Sequence, residues 1–259
     1  MIRALTIAAS DGSGGAGIEA DLKVFAAHRV FGLTAITALT LQDTARVHGV
    51  EPTPLMAFRR TLELLAADMP IAAVKIGALA SLDHLAVAAD FLAALSPRPP
   101  VVLDPVLVST SGRELFPPKG LALLRARLLP LVTLITPNLP EAELLTGRPA
   151  RTEADLVPAG RELVRLGAAA ALVKGGHLPG QPVDALVHAG GVERFSGMRR
   201  PHEFHGTGCA LASAVAARLA RGDDLLAAVA GGRDYLTLCM DAAAPGKGEA
   251  WVLGFPPVD

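Results

Sequence analysis

Short apolar runs alternate with longer amphipathic segments along most of the chain. The apolar runs predict buried strands at 5–9, 34–41, 73–76, 101–103, 132–135 and 170–173. Helical periodicity between them predicts helices at 18–27, 54–69, 81–95 (with Ser81 as N-cap), 120–129 and 152–166. Such strand–helix alternation is typical of a parallel sheet that helices cover on both faces. We therefore expect an α/β fold with a mostly parallel central sheet.

The last third of the chain follows a different pattern. Two short strands at 184–188 and 192–195, joined by Ala189-Gly190-Gly191, predict a β-hairpin. Helices are predicted at 209–220 and 225–242, before a tail rich in Gly and Pro. The polar stretch at 108–118 predicts a surface loop and part of a lid. Since no internal repeat, linker or low-complexity tract interrupts the chain, residues 1–259 are expected to form a single domain.

Composition narrows the class of protein. The chain has 259 residues, 51% of them hydrophobic and 19% charged, which is typical of a globular protein. A net charge of −1 with one Trp and one Tyr provides neither a basic patch nor a stacking platform, so no nucleic-acid partner is expected. The two cysteines suggest no disulfide framework, and no export signal or membrane-spanning run is seen. A reducing cytoplasm is expected.

The segment His205-Gly206-Thr207-Gly208-Cys209 carries the strongest chemical signal, because it precedes a long apolar helix. Its glycines allow successive N–H groups to point in one direction, and the helix adds the positive end of its dipole. This corner is suited to binding an anion. Cys209 falls in the first helical turn, where we expect a lowered thiol pKa and a role as base or nucleophile. The alternative is a helix start with a buried structural cysteine.

A second glycine-rich turn, with Gly12, Gly14 and Gly17, matches the G-x-G-x-x-G fingerprint of dinucleotide-binding proteins. That fingerprint expects an acidic residue at the end of the next strand, about 20 residues on. The candidate, Asp43, lies 26 residues after Gly17 and follows Gln42, which is a poor match. No G-x-x-x-x-G-K-[ST] motif occurs either, which argues against a P-loop enzyme. A nicotinamide-dependent oxidoreductase remains the distant alternative.

Six segments occur together in one order, and together they resemble the hydroxymethylpyrimidine and phosphomethylpyrimidine kinases of the ribokinase-like superfamily. They are 5–11 with 13–23, Lys75-Ile-Gly77, Val101-Val-Leu-Asp-Pro-Val106, 134–143, Leu172-Val-Lys-Gly-Gly-His177 and His205-Gly-Thr-Gly-Cys209. The resemblance implies a three-layer α/β/α sandwich and an ATP- and magnesium-dependent kinase of thiamine biosynthesis. It also implies a homodimer, because relatives are often dimers.

The same resemblance implies roles for individual residues. Cys209 is expected to act as the catalytic base, and the amides of Gly206, Thr207 and Gly208 to surround the transferred phosphoryl group. ATP is expected to contact Lys174, Asn138, Gly175 and Thr207, and magnesium to bind near Asp104 and Glu141. Each position has a simpler alternative. Asp104 precedes a proline and would suit a turn, Lys174 would suit a solvated surface, and Asn138 with Glu141 matches a capping box.

On the substrate side the resemblance implies contacts from Ala9, Asp21, Gln42, Ala78, Val106 and Cys209. Gln42 is expected to bond the pyrimidine, although it would also suit a turn cap. This side departs from the family pattern, because Ala9, Asp43 and Ala78 replace a common Gly, Asn and Met, and 199–204 lacks the usual threonines. Two other functions therefore stay open, a pyridoxal kinase and a non-catalytic pyrimidine-binding protein.

Overall fold

A continuous nine-stranded sheet forms the centre of the computed structural model, which describes residues 1–108 and 115–258. The spatial order of its strands is β3-β2-β1-β4-β5-β6-β7-β8-β9. Their bounds are β1 Arg3–Asp11, β2 Phe31–Gln42, β3 Val47–Pro52, β4 Ala73–Ile76, β5 Val101–Leu103, β6 Leu134–Ile135, β7 Ala171–Lys174, β8 Val183–His188 and β9 Gly191–Ser196. Six strands that are neighbours in this order pair in parallel, namely β2, β1, β4, β5, β6 and β7. The remaining strands, β3, β8 and β9, pair antiparallel with their neighbours. The mostly parallel sheet is therefore confirmed.

Helices cover both faces of this sheet. Their bounds are α1 Gly17–Ala27, α2 Leu55–Asp68, α3 Leu82–Ala94, α4 Leu121–Leu123, α5 Leu139–Thr146, α6 Leu156–Arg165, α7 Thr207–Ala220 and α8 Leu225–Asp241. Phe58 of α2 and Leu163 of α6 pack on one face, and Phe25 of α1 and Val215 of α7 pack on the other. Within β5, Val101 and Val102 point into opposite cores, as strand geometry requires. The three layers follow from this alternation.

The outer end of β2 differs from the predicted buried strand. Leu39 and Leu41 are 51% and 56% exposed, because this end of the strand pairs with β3 at the edge of the sheet. β3 itself was missed, since the segment Val47–Pro52 contains Gly, Glu and Pro and shows little alternation of apolar residues. The two strands form an antiparallel pair at the β3 edge of the sheet.

Two predicted helices begin or continue irregularly. The segment predicted at 120–129 starts with a 3₁₀ turn at Pro118–Gly120, continues as α4 and becomes a π-helix at Leu124–Leu128. The segment predicted at 152–166 starts with a 3₁₀ turn at Glu153–Asp155, so that Pro158 lies in the first turn of α6. A proline there removes no intrahelical hydrogen bond, which is why the helix tolerates it. Residues 109–114 of the predicted lid loop lie outside the described residues.

The tail forms a second, three-stranded sheet that the sequence did not indicate. It consists of β10 Phe204–His205, β11 Ala244–Pro245 and β12 Trp251–Val252 in the order β10-β12-β11. Because β10 immediately precedes Gly206, this small sheet supports the glycine-rich corner. Among the described residues, 1–108 and 115–258, no helix is both long and apolar enough to cross a membrane.

The topology determines where a ligand can approach. β1 lies between β2 and β4, so the chain crosses to one side after β1 and returns on the other side before β4. At such a switch point the two connections leave a crevice at the carboxyl ends of the strands. Asp11 at the end of β1 and Asp104 just after β5 lie at this edge of the sheet. The candidate site is therefore expected above β1, β4 and β5.

Candidate functional site

The glycine-rich corner begins helix α7 against the turn that follows β1. Gly206 is the N-cap of α7 and has a φ of 87°, in the left-handed region that favours glycine. A side chain at Gly206 would also collide with the carbonyl oxygen of Gly15. The first N–H groups of a helix have no partner within it, so those of Thr207, Gly208 and Cys209 are available to an anion.

Gly208 brings this helix start against two charged side chains. A Cβ atom at Gly208 would lie 2.8 Å from Asp104 Oδ2 and 3.3 Å from Lys174 Nζ. Lys174 Nζ in turn lies 3.1 Å from Asp104 Oδ1. The structure therefore brings together four elements of the predicted phosphoryl site: the helix start, Cys209, Asp104 and Lys174.

Asp104, Glu141 and Lys174 form one electrostatic cluster. Burial raises the pKa of Glu141 to about 7, Lys174 opposes this rise, and the Asp104 carboxylate adds to it. Burial works to lower the pKa of Lys174, but the carboxylates of Asp104 and Glu141 outweigh it and raise the pKa of this ammonium. The Lys174 side chain remains 17% exposed. A cation is thus held at the surface of the site, beside two buried carboxylates.

The pair Asn138 and Glu141 forms the capping box that the sequence left as an alternative. Asn138 is the N-cap of α5, and its Oδ1 accepts a hydrogen bond from the Glu141 N–H at 2.8 Å. Glu141 Oε2 accepts from the Asn138 N–H at 2.9 Å. Asn138 therefore precedes the helix instead of lying on its face. Its side-chain NH₂ group is not used in the box, and that donor can serve a ligand.

Two carboxylates at this place fit a magnesium ion. Magnesium in phosphoryl-transfer sites is held by one or two carboxylates together with phosphate oxygens and water. The Asp104 carboxylate raises the pKa of Glu141 because two negative charges at this place repel each other, and a divalent cation would relieve that repulsion. Within residues 1–108 and 115–258, no group of three or more His, Cys, Asp or Glu forms a metal cluster. Asp104 and Glu141 are therefore the candidate ligands among the described residues.

The charge state of Cys209 differs from the prediction. Burial raises the pKa of its thiol to about 11, although the nearby Lys75 and the Gly17 N–H act to lower it. The expectation of a lowered pKa is therefore wrong for the free protein. Cys209 is only 9% exposed, and the positive end of the helix dipole does not offset the effect of this burial on the thiol pKa. Cys209 nevertheless lies next to Gly208 at the helix start.

The structure places Asp21 differently from the predicted substrate contact. Asp21 is 0% exposed and pairs with Lys75, with both carboxylate oxygens 2.8 Å from Nζ. Its remaining hydrogen bonds come from the hydroxyls of Thr6 and Ser213. Because Asp21 has no exposed surface and both of its oxygens are already bonded, it is not placed to touch a ligand and instead supports the site. Sequence reasoning missed Lys75, although a lysine inside the apolar strand β4 was a visible signal.

A second missed pair fixes the turn after β1 to the strand before Gly206. Asp11 Oδ2 lies 3.0 Å from His205 Nε2 and also accepts from the Ala16 N–H at 2.8 Å. Asp11 Oδ1 accepts from the N–H and the hydroxyl of Ser13. Burial works to raise the pKa of Asp11, but the bonds from His205 and Ser13 outweigh it and lower the pKa to about 2. Asp11 thus joins the two glycine-rich segments.

Asp11→Asn is expected to lower the free energy of unfolding by about 2 kcal/mol near neutral pH. Because the pKa of Asp11 is below its ordinary value of 3.8, the stabilisation is complete above about pH 4 and is lost as the pH falls toward 2. Urea unfolding at a series of pH values checks this, with the exposed Asp68→Asn as control. If Asp11→Asn lowered the free energy of unfolding by the same amount at every pH, the electrostatic account would be contradicted.

The predicted substrate contacts other than Asp21 and Cys209 lie near the carboxyl ends of the strands. Ala9 is at an irregularity in the β1–β2 register and is 7% exposed. The carbonyl of Ala78 accepts from the Thr37 hydroxyl at 2.6 Å, and Val106 donates its N–H to the Asp104 carbonyl at 2.8 Å. Gln42 ends β2 opposite Val47. Among the described contacts, none joins Gln42 to the other predicted substrate residues.

Beyond Lys174 lies a cavity of about 550 Å³. Its lining is largely apolar and consists of Leu139, Pro140, Glu143, Leu144, Ala150, Arg151, Lys174, His177 and Leu178. Gly175, which follows Lys174, donates its N–H to Asp184 Oδ1, and a side chain there would collide with the Val183 carbonyl. A cavity of this volume is in the range of small-molecule sites. There is room next to Lys174 for a ligand larger than a phosphate group.

Comparison with known proteins shows the family of the chain. The sequence model of the family described as phosphomethylpyrimidine kinase matches residues 11–252. The chain belongs to this family. The hydroxymethylpyrimidine/phosphomethylpyrimidine kinase of Rhizobium meliloti is 43% identical over 243 residues, which cover 93% of this chain and 91% of that protein. The resemblance found in the sequence is thereby confirmed, and a nicotinamide-dependent oxidoreductase is no longer a candidate.

Solved structures of this and a related family confirm the ribokinase-like three-layer fold. The phosphomethylpyrimidine kinase of Clostridium difficile 630 superposes with a TM-score of 0.81 and 38% identity, covering 92% of this chain and 98% of that one. An ADP complex of Bacillus subtilis pyridoxal kinase gives a TM-score of 0.89 and 32% identity, covering 98% and 97%. The phosphomethylpyrimidine kinase family therefore shares its fold with kinases of another vitamin.

Proposed function

We propose that this member of the phosphomethylpyrimidine kinase family phosphorylates 4-amino-5-hydroxymethyl-2-methylpyrimidine on its hydroxymethyl oxygen, and then phosphorylates the monophosphate, in thiamine biosynthesis. The phosphate donor is ATP. One observation carries the proposal: Gly208 brings the N–H groups of α7 and the Cys209 residue against the Asp104–Lys174 pair. An anion site, a candidate base and a cation thus meet at one point. The family of the chain supports the same activity.

The transferred phosphoryl group is held at the start of α7. The N–H groups of Thr207, Gly208 and Cys209 donate to its oxygens, and these donors are fixed before the reaction begins. Lys174 balances negative charge from the opposite side, since its ammonium stays protonated beside Asp104. Phosphoryl transfer depends mainly on such positioning and charge stabilisation. The corner is therefore suited to the step that the proposal requires.

In the proposed step, the Cys209 thiolate takes the proton of the substrate hydroxyl. The hydroxymethyl oxygen then forms a bond to the γ-phosphorus of ATP, the bond from that phosphorus to the β–γ bridging oxygen breaks, and ADP leaves. The thiol must first release its own proton to solvent, which burial of Cys209 disfavours. A nearby positive charge is therefore needed to favour the thiolate.

Asp104 and Glu141 are the residues that would hold magnesium. The ion supplies neutralisation of the charge on the ATP phosphates. Asp104 is 3% exposed and Glu141 7%, so each carboxylate oxygen that faces the site is kept from bulk water. The NH₂ group of Asn138, together with Lys174, Gly175 and Thr207, completes the proposed contacts with the nucleotide. Replacing Glu141 by Gln would keep the capping box while removing one charge.

Pyridoxal kinase is the second candidate function, because the structure overlaps the Bacillus subtilis pyridoxal kinase with a TM-score of 0.89. Pyridoxal also carries a hydroxymethyl group on a flat heteroaromatic ring. The proposed ring contacts, Ala9, Gln42, Ala78 and Val106, would distinguish the two rings. Sequence identity favours the pyrimidine, because the chain is 43% identical to the Rhizobium meliloti pyrimidine kinase and 32% identical to the Bacillus subtilis pyridoxal kinase. A non-catalytic binding protein would have little use for a base and a cation at one point.

A substrate panel tests the proposed function. The purified protein is incubated with magnesium-ATP and, separately, the hydroxymethylpyrimidine, its monophosphate and pyridoxal, while ADP release is measured. Turnover of both pyrimidines is expected. Turnover of pyridoxal alone would assign the protein to the second candidate, and ADP release from none of the three would contradict a kinase function. Each rate is compared with that of a Lys174→Met variant, which shows that the activity belongs to this site.

We further infer a single domain, a homodimer and a cytoplasmic location. The continuous nine-stranded sheet supports one domain. Leu39 and Leu41 are two residues apart on β2, so they lie on one face, and their exposed side chains beside β3 are a suitable surface for a second copy of the chain. Light scattering after gel filtration is expected to give the mass of a dimer. A Leu39→Glu, Leu41→Glu variant that keeps the wild-type mass would contradict this interface.

A further inference from the structure

A fully buried ion pair lies beneath the candidate site. Lys75 of β4 and Asp21 of α1 are both 0% exposed, and Nζ is 2.8 Å from each carboxylate oxygen. The Thr6 hydroxyl donates to Asp21 Oδ2 at 2.5 Å, and the Ser213 hydroxyl donates to Oδ1 at 2.7 Å. These four residues come from β1, α1, β4 and α7. They form a closed polar cluster inside the apolar core.

Helix α7 connects this cluster to Cys209. Ser213 follows Cys209 by four residues, so both side chains lie on one face of the helix, a single turn apart. Because Ser213 bonds Asp21 directly, the residue of α7 that contacts the Lys75–Asp21 pair lies one helical turn after Cys209. The Gly17 N–H at the start of α1 also acts on the sulfur. The same two helices thus hold both the thiol and the carboxylate.

A purely structural role accounts poorly for this ion pair. Removing a lysine and an aspartate from water is costly, and apolar residues of similar size often stabilise a core equally well. Asp21 already accepts two hydroxyl donors, so it does not depend on the lysine for its hydrogen bonds. The ammonium of Lys75 is therefore expected to serve a group besides Asp21.

The charges around Cys209 indicate that its thiol is the group that the Lys75 ammonium serves. Burial raises the pKa of the thiol; of its charged neighbours Lys75 lowers it most, whereas Asp21 and Asp104 raise it. Lys174, at the end of β7, is a second cation that interacts with the sulfur. Lys75 differs from Lys174 in having no exposure to solvent and no role at the surface of the site. Its charge is fixed whether or not a ligand is present.

We propose that Lys75 is a positioning residue for phosphoryl transfer, whose buried ammonium, held by Asp21, supplies the counter-charge for the Cys209 thiolate. Lys75 stays protonated throughout and transfers no proton. The thiolate accepts the proton of the substrate hydroxyl, and the thiol later returns that proton to solvent. The inference rests on the proposed function in that Cys209 is the base, but the effect on the thiol exists without substrate.

The test measures how fast iodoacetamide alkylates Cys209 at several pH values around neutrality, by mass spectrometry of the peptide that contains it. Alkylation requires the thiolate, so its rate follows the thiolate fraction. Lys75→Met is expected to slow alkylation about tenfold at each pH, which corresponds to about one unit of thiol pKa. A loosened structure would instead expose Cys209 and speed the reaction. The direction of the change thus separates the two explanations.

Two further variants complete the test. Ser213→Ala removes a hydrogen bond from the same cluster but keeps both charges, so its alkylation rate should equal or exceed that of the wild type. Lys75→Met with Asp21→Asn leaves no unpaired buried charge and therefore keeps the test valid if Lys75→Met alone does not fold. Its rate should fall between those of Lys75→Met and the wild type, because Asp21 opposes Lys75 at the sulfur.

Turnover provides the second readout. With Mg-ATP and pyrimidine, Lys75→Met is expected to lower kcat about tenfold and leave the KM for ATP near the wild-type value. Alkylation rates in Lys75→Met and in the double variant that equal or exceed the wild-type rate would overturn the inference. If the wild type phosphorylates none of the substrates, the proposed function fails, and the alkylation rates still decide whether Lys75 supports the thiolate.

Discussion

Cys209→Ala is expected to lower kcat by about 10²–10⁴-fold, the usual contribution of a general base. The side chain lies in the first turn of α7, next to Gly208, and α7 reaches Asp104 and Lys174 through that glycine. Loss of the sulfur leaves the N–H groups of the helix start and the Lys174 ammonium in place. ATP binding should therefore stay close to that of the wild type. Turnover with the pyrimidine and equilibrium binding of ATP together check this.

Cys239→Ala is the matched control for that experiment. Cys239 is 0% exposed, and burial raises its pKa to about 11 as it does for Cys209, but Cys239 lies on α8 beside Tyr235. Its replacement should reduce stability slightly and leave kcat near the wild-type value. If Cys209→Ala retained full turnover, Cys209 would be a structural residue and the base would have to be sought elsewhere.

Gly208→Ala is expected to abolish most of the activity, by about 10²-fold or more, while keeping the fold. The new Cβ atom would lie 2.8 Å from Asp104 Oδ2 and 3.3 Å from Lys174 Nζ, inside the space that the phosphoryl group needs. Asp104 is buried and bound to Lys174, so it cannot turn away without breaking that pair. Alanine suits a helix interior better than glycine by about 1 kcal/mol, which offsets only part of the cost of this contact.

The expected result is thus an inactive protein that still folds but unfolds at a lower temperature than the wild type, because the clash with Asp104 outweighs the helical preference for alanine. Gly12→Ala provides the control, because a Cβ atom there meets nothing within 4 Å and the residue is exposed. Full activity of Gly208→Ala would show that the helix start does not hold the transferred group. A protein that no longer folds would show that the close approach to Asp104 is needed for stability.

The sequence could predict the layers of the fold because apolar runs and helical periodicity agree along most of the chain. The strands at Ala73–Ile76 and Val101–Leu103 were predicted with the bounds that the structure shows. β3 and the sheet formed by β10, β11 and β12 were missed because these strands have only two to six residues, and all but β12 carry Gly, Pro or polar side chains. Their pairing depends on distant segments, which local patterns do not encode.

The candidate site was predictable where the chemistry is local and unpredictable where it depends on burial. The glycines of 206–208 and the capping box of Asn138 are short-range patterns, and both are present in the structure. The charge state of Cys209 was predicted wrongly because the depth of the thiol is a property of the packed fold. Asp21 was expected at the substrate because its place in the motif is visible, whereas its partner Lys75 lies 54 residues away.

The most direct test of the central claim identifies the atom that receives phosphate. The protein is incubated with magnesium-ATP and 4-amino-5-hydroxymethyl-2-methylpyrimidine, and the product is analysed by phosphorus NMR and mass spectrometry. We expect a phosphate ester whose phosphorus couples to the hydrogens of the adjacent CH₂ group, formed in step with ADP. ADP accompanied by free inorganic phosphate alone, with the pyrimidine unchanged, would contradict the account.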